Sequence, residues 1–201
     1  DPLWSRGLGD VYKRQVTNGV FGALVGSGSG PYTLEVTPTT DGAVSLQVKA
    51  GAAQDAAGND SVVSSVASVT YDGTLPTVTL TAPTTANSSP ISVHVAFTES
   101  VTGLTASSFT VTNGTAGGLT GAGTSFDLQI TPLAQGNVTV QLDASAAQDA
   151  AGNASAQSNL ITIAYDSVAP SSTVSSTSTS PTNDSPIVFQ IHFSESVSGL
   201  T

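Results

Sequence analysis

Fourteen of the 201 residues are acidic, and six of them fall into pairs separated by nearly one interval: Asp55 with Asp149, Asp72 with Asp166, and Glu99 with Glu195. Asp149 and Asp55 each sit second in the same hexapeptide, Gln-Asp-Ala-Ala-Gly-Asn, which ends at Asn153 and Asn59. Two chemistries suit carboxylates placed in this way. Oxygen ligands that converge from separate loops are what Ca²⁺ needs, at about 6–8 oxygens per ion. The other reading is a tight polar turn, in which Asp and Asn bond their own backbone. Catalysis finds no comparable set. The two histidines, His94 and His192, align with Gln190 and Ala96 and so do not repeat. Both alternate away from apolar neighbours, which marks them as surface groups. There is no cysteine, and hence neither a disulfide nor a thiolate metal site. The glycine-rich run at 26–30 lacks the Lys-Ser/Thr and helix of a phosphate loop, and no nucleophile elbow occurs. The sequence is that of a protein without enzymatic activity.

The elements that must position these carboxylates come from a repeat of about 95 residues. Tyr71-Asp72 and Pro76 return as Tyr165-Asp166 and Pro170. Val16-Thr17-Asn18-Gly19 returns as Val111-Thr112-Asn113-Gly114, and the segment 89–105 returns at 185–201. Small drifts in the interval fall in turns. The chain therefore divides into a copy at 16–72 without its opening strands, a complete copy at 73–166, and the first two strands of a third at 167–201. The third copy thus holds the pair of strands that the first lacks.

Within the complete copy, apolar residues alternate with polar ones, which is the period of a half-buried strand. The segment 77–81 reads as one strand, and Ile91, Val93, Val95 and Phe97 face one way on the next. Phe109 and Val111 mark a third strand, closed by the turn dipeptide Asn113-Gly114. A short edge strand is expected in the glycine-rich stretch 115–123. Three further strands carry Phe126, Leu128 and Ile130, then Val138, Val140 and Leu142, then Ile161, Ile163 and Tyr165. Seven short strands with one apolar face each predict an all-β, immunoglobulin-like sandwich, repeated in tandem. If strands alternate in direction, Glu99 ends its strand at the pole where the loop bearing Asp149 and Asn153 also lies. The linker brings Asp72 to that pole. The predicted inter-domain Ca²⁺ site is Asp72, Glu99, Asp149 and Asn153, with Asp166 and Glu195 equivalent in the next unit, and its Kd is about 10⁻⁴–10⁻³ M.

Composition agrees with this architecture. Only 9% of residues are charged, and Gly (20) and Pro (10) supply turns. A net charge of −10 disfavours nucleic acid and anionic membranes, and no apolar run reaches the length of a membrane span. The absence of Met indicates a fragment of a longer protein. Residues 1–15 stand apart, with Arg6, Lys13, Arg14 and the one Trp, Trp4. They read as a non-native leader, the alternative being a basic arm that grips a partner.

Five segments together carry a family resemblance: 76–80, 97–101, 109–114, Gln148 to Asn153, and Tyr165-Asp166. In them the chain resembles the bacterial Ig-like domains strung through large surface adhesins and biofilm-associated proteins, over nearly all of 16–201. The resemblance implies an extracellular or cell-surface location and a spacer or stalk that presents a distal binding domain. Its expected partners are the neighbouring repeats of the same chain. Two alternatives stand beside it: a module binding carbohydrate or protein, and an accessory repeat of a secreted hydrolase. The loops at 103–108 and 144–158 contain no aromatic residue, which counts against the first.

Overall fold

A computed structural model of the chain describes residues 13–201, so Trp4 and Arg6 lie outside the described residues. The leader reading of 1–15 meets the structure only at its end. There strand β1 (Arg14–Thr17) takes in Arg14 and Gln15, and the Arg14 guanidinium stands 5.1 Å above the Phe21 ring.

Alternation of apolar and polar residues yields strands throughout the described residues. β2 (Gly19–Val25), β3 (Thr33–Pro38), β4 (Gly42–Val48) and β5 (Ala67–Tyr71) follow β1. They form a β1-β4-β5 sheet and a β2-β3 ribbon. Next come β6 (Val78–Thr81), β7 (Thr85–Ala86), β8 (Ile91–Val101), β9 (Phe109–Thr112), β10 (Gly114–Pro132), β11 (Gly136–Leu142) and β12 (Ile161–Tyr165). These make two sheets, β10-β8-β6 and β7-β12-β11-β9. The chain ends in a hairpin of β13 (Ser172–Ser176) and β14 (Phe189–Phe193).

The two sheets of β6–β12 face each other, as an immunoglobulin-like sandwich requires. Between them lie the residues picked out by alternation. Val93, Val95, Leu128, Ile130, Val138, Val140, Leu142 and Ile163 are fully buried, and the Phe97 and Phe126 rings meet edge to face at 6.0 Å. Registration follows this packing: Val95 lies opposite Leu80 on one side and opposite Phe126 on the other. A slip of one residue would turn all of these outward.

Two elements differ from expectation. β8 runs eleven residues, past Phe97 to Val101, so that Glu99 lies within the strand, where the register with β10 shifts between the Ala96–Ser125 and Val101–Gly123 pairs. The expected edge strand at 115–123 and its successor form one continuous element, β10, which doubles back on itself. The Thr120 hydroxyl donates to the Asp127 carbonyl, and a Cβ at Gly121 would lie 2.4 Å from the Ser125 carbonyl. Only glycine fits there, at φ +105°. A stretch with so few apolar side chains gives no period from which this turn could be read.

Candidate functional site

The long connection from β11 to β12 is held by buried serines. The Leu142 N–H donates to Ser158 Oγ at 2.8 Å, and the Ala147 N–H donates to Ser155 Oγ at 3.2 Å. Ser61 and Ser64 accept equivalent bonds from Ala53 and Val48 in the preceding copy. At the edge of β6 the Asn159 amide takes the place of a strand. Its Oδ1 accepts from the Leu80 N–H at 2.8 Å, and its Nδ2 donates to the Leu80 carbonyl at 3.0 Å.

This fixed connection carries the Asp149 loop, in which the carboxylate organises its own turn. Oδ1 accepts the N–H groups of Ala151, Gly152 and Asn153 at 2.8, 2.7 and 2.9 Å, and Oδ2 accepts from Asn153 Nδ2 at 2.8 Å. Asp55 makes the same turn with Ala57 and Asn59. The polar-turn reading of this motif is therefore what its hydrogen bonds show. Asp149 is only 7% exposed. Burial would raise its pKa, but the bonds from Asn153, Gly152 and Ala151 outweigh burial and hold it below its ordinary value.

Glu99 is brought beside this loop by a bridge at Thr102, further along the same segment. Thr102, just past the end of β8, exchanges backbone hydrogen bonds with Gln148 at 2.7 and 3.0 Å. The linker approaches from the other side. The Asp72 carbonyl accepts from Asn153 Nδ2 at 3.0 Å, the Ala156 N–H donates to the Pro76 carbonyl at 2.9 Å, and Asp72 Oδ1 accepts the Thr74 N–H at 3.1 Å. As a result one carboxylate oxygen each from Asp72, Glu99 and Asp149 lies within 4.8 Å of the others. Three of the four residues named from the sequence thus bring carboxylates together. Asn153 stands with them as a donor that ties Asp149 to the linker.

Three anions this close disfavour one another's charge. Glu99 shows the effect: burial, then the negative charges of Asp72, Asp149 and Asp41, push its pKa above the ordinary value. The donor set is hard, anionic and built from three separate segments, which suits a Ca²⁺-like cation and not a soft metal. Asp149 has one oxygen left with a single hydrogen-bond partner for such an ion, because its other oxygen is saturated by the turn.

Asp41 was not among the residues named from the sequence. It lies between β3 and β4, accepts the Gly73 N–H at 2.8 Å, and accepts the Thr74 hydroxyl. Those two bonds hold its pKa below the ordinary value. Selecting acids that recur passes over it, because Gln135 occupies the equivalent place in the next copy. Gln135 makes an uncharged version of the same clasp: the Ser167 N–H donates to Gln135 Oε1 at 3.0 Å, and Gln135 Nε2 donates to Ser167 Oγ at 2.9 Å. Asp166 Oδ1 accepts the Val168 N–H at 3.0 Å, as Asp72 does for Thr74. Among the described residues, Asp166 and Glu195 are not joined by a third carboxylate. Of the histidines, His94 faces outward on β8, with Nδ1 3.1 Å from Asp127 on the adjacent strand, a surface pair of small energetic weight.

Comparison with known proteins places this geometry. Residues 72–165 match the family described as bacterial Ig-like domain, and that segment is such a domain. No curated protein matches the chain. Among solved structures, that of Yersinia pseudotuberculosis InvD is similar at 15% identity and a TM-score of 0.40, covering 87% of this chain and 54% of that one. The chain thus spans about half the length of that structure.

Proposed function

Starting from residues 72–165 as a bacterial Ig-like domain, we propose that the chain is a length of stalk in an extracellular, surface-attached bacterial protein. In this reading it is an array of modules at 16–72, 73–166 and 167–201, and it holds a binding domain located elsewhere in the parent protein away from the cell. The observation that carries the reading is the joint. The segment from Tyr71 to Pro76 is gripped from behind by Asp41 and from ahead by Asn153 and Ala156. A linker this short, bonded to the modules on both sides, transmits position and force where a free one would swivel. The outer coat of Ser, Thr and Asn with net negative charge supports this reading, because it resists sticking to like neighbours.

The carboxylate trio fits this role as a Ca²⁺-dependent stiffener. Asp72, Glu99 and Asp149 would hold the ion, and Asn153 would orient Asp149 and the linker. An ion there offsets the repulsion recorded in Glu99 and couples the linker to the following module. Affinity belongs to the weak extracellular class, Kd about 10⁻⁴–10⁻³ M. Isothermal titration of the 201-residue chain with Ca²⁺ tests it. Binding in that range is expected, abolished by Glu99→Gln and weakened about 10–100-fold by Asn153→Ala. No heat and no change in melting temperature at millimolar Ca²⁺ would remove the ion from the account and leave the bonded joint standing.

A further inference from the structure

In the complete module, the segment by which the chain enters and the segment by which it leaves run side by side in the same direction. Bonds join them along their whole length. The Ala156 N–H donates to the Pro76 carbonyl at 2.9 Å. The Asn159 amide accepts the Leu80 N–H at 2.8 Å and donates to the Leu80 carbonyl at 3.0 Å. The N–H groups of Ala164 and Asp166 donate to the Thr84 and Ala86 carbonyls, each at 2.9 Å. The partners keep nearly one spacing in sequence, so 76–86 and 156–166 hold a single register. The last two steps belong to the parallel pairing of β7 with β12. β6 pairs with β8 on its other edge, and β6 and β7 lie in different sheets. Backbone pairing alone would leave the line open at Leu80. There the Asn159 side chain supplies the donor and the acceptor of an absent strand.

We propose that 76–86 and 156–166 form a shear clamp that keeps the module folded under tension along the chain, with the Asn159 amide as its central latch. The chain enters at the pole of Asp72 and Asp149 and leaves at the opposite pole, where Tyr165 lies across from Gly136. Tension along the array therefore draws the entering segment towards one pole and the leaving segment towards the other. Because the two are parallel, they are pulled past each other, and the bonds between them bear the load together. Two strands drawn apart from one end would instead open bond by bond. Forced unfolding is governed by the unfolding barrier, which is high where several bonds must fail at once. The entering segment also crosses from one sheet to the other between Thr81 and Thr85, so the clamp ties both sheets to the line of force. The source of the tension rests on the stalk proposed above; the resistance rests on the bonds.

Single-molecule stretching of the 201-residue chain at constant force tests the clamp, with handles at the two ends. Unfolding of the complete module is recognised by the release of about 300 Å of chain. A second pulling direction uses handles on Ser88→Cys and Val168→Cys, at exposed places in a chain without cysteine. That direction draws the same two segments apart from one end. At equal force the module's lifetime should then be about 100-fold shorter, since its bonds fail in turn. Asn159→Ser installs the residue found at the equivalent place in the preceding copy and removes the latch. It should shorten the end-to-end lifetime about tenfold and leave the lifetime in the second direction unchanged. A wild-type lifetime that is the same in both directions overturns the clamp, and this comparison needs no change at Asn159. So does an Asn159→Ser chain as long-lived as wild type when pulled from its ends. Either failure would leave the stiffness of the joint, and with it the stalk, to be judged by the distance between modules.

Discussion

Glu99 is the residue at which the joint reports its own electrostatics. Burial and three neighbouring carboxylates raise its pKa, so the folded chain holds that proton more tightly than the unfolded chain. Its stabilising contribution is therefore full below the ordinary value of 4.5 and is lost as pH rises through the raised folded-state value. Asp149 and Asp41 run the opposite way. Their contribution is present above the ordinary value of 3.8 and is lost as pH falls through their lowered values. Without divalent cations, the melting temperature should rise as pH is lowered from neutral towards 4.5 and fall again below 3.8. Glu99→Gln should melt higher than wild type at neutral pH and lose the rise, which a thermal scan across pH will show. A wild-type profile flat between neutral pH and 4.5 would mean that the trio does not interact. Asp72, Glu99 and Asp149 were legible in the sequence because each recurs. Asp41 was not, since its task is done by a carboxylate in one copy and by the Gln135 amide in the next, and the geometry they share is a clasp on a backbone N–H.

At the scale of elements, alternation of side chains revealed the core strands, since Val93, Val95, Val138 and Val140 point inward on strands whose other face is polar. It could not reveal what holds the 143–160 connection, because the agents there are serines that look like coat residues until they are buried. Ser158 is such a peg: it is 6% exposed and accepts the N–H of Leu142 in the core. Ser158→Ala leaves that donor unpaired in a dry site and should cost about 1–3 kcal/mol in urea unfolding. A loss below about 0.5 kcal/mol would show that the connection is held by something other than its serines. The β10 hairpin was hidden for a related reason. Its turn depends on Gly121 and Gly123 at positive φ, and glycine carries no periodic signal.

For the molecule as a whole, the proposed stalk role rests on the repeat and on the bonded joint at 71–76. Cysteine is absent, so two introduced cysteines can be labelled cleanly. Thr37 and Thr131 are exposed and occupy equivalent places on either side of the joint. The distance distribution between dyes at Thr37→Cys and Thr131→Cys should be a single narrow peak, narrower still with millimolar Ca²⁺ and broadened when Asp41→Ala and Asn153→Ala remove the clasps. A broad distribution in the otherwise unsubstituted chain, indifferent to both clasps and to Ca²⁺, would mean that the modules swivel freely and that the chain is no stalk.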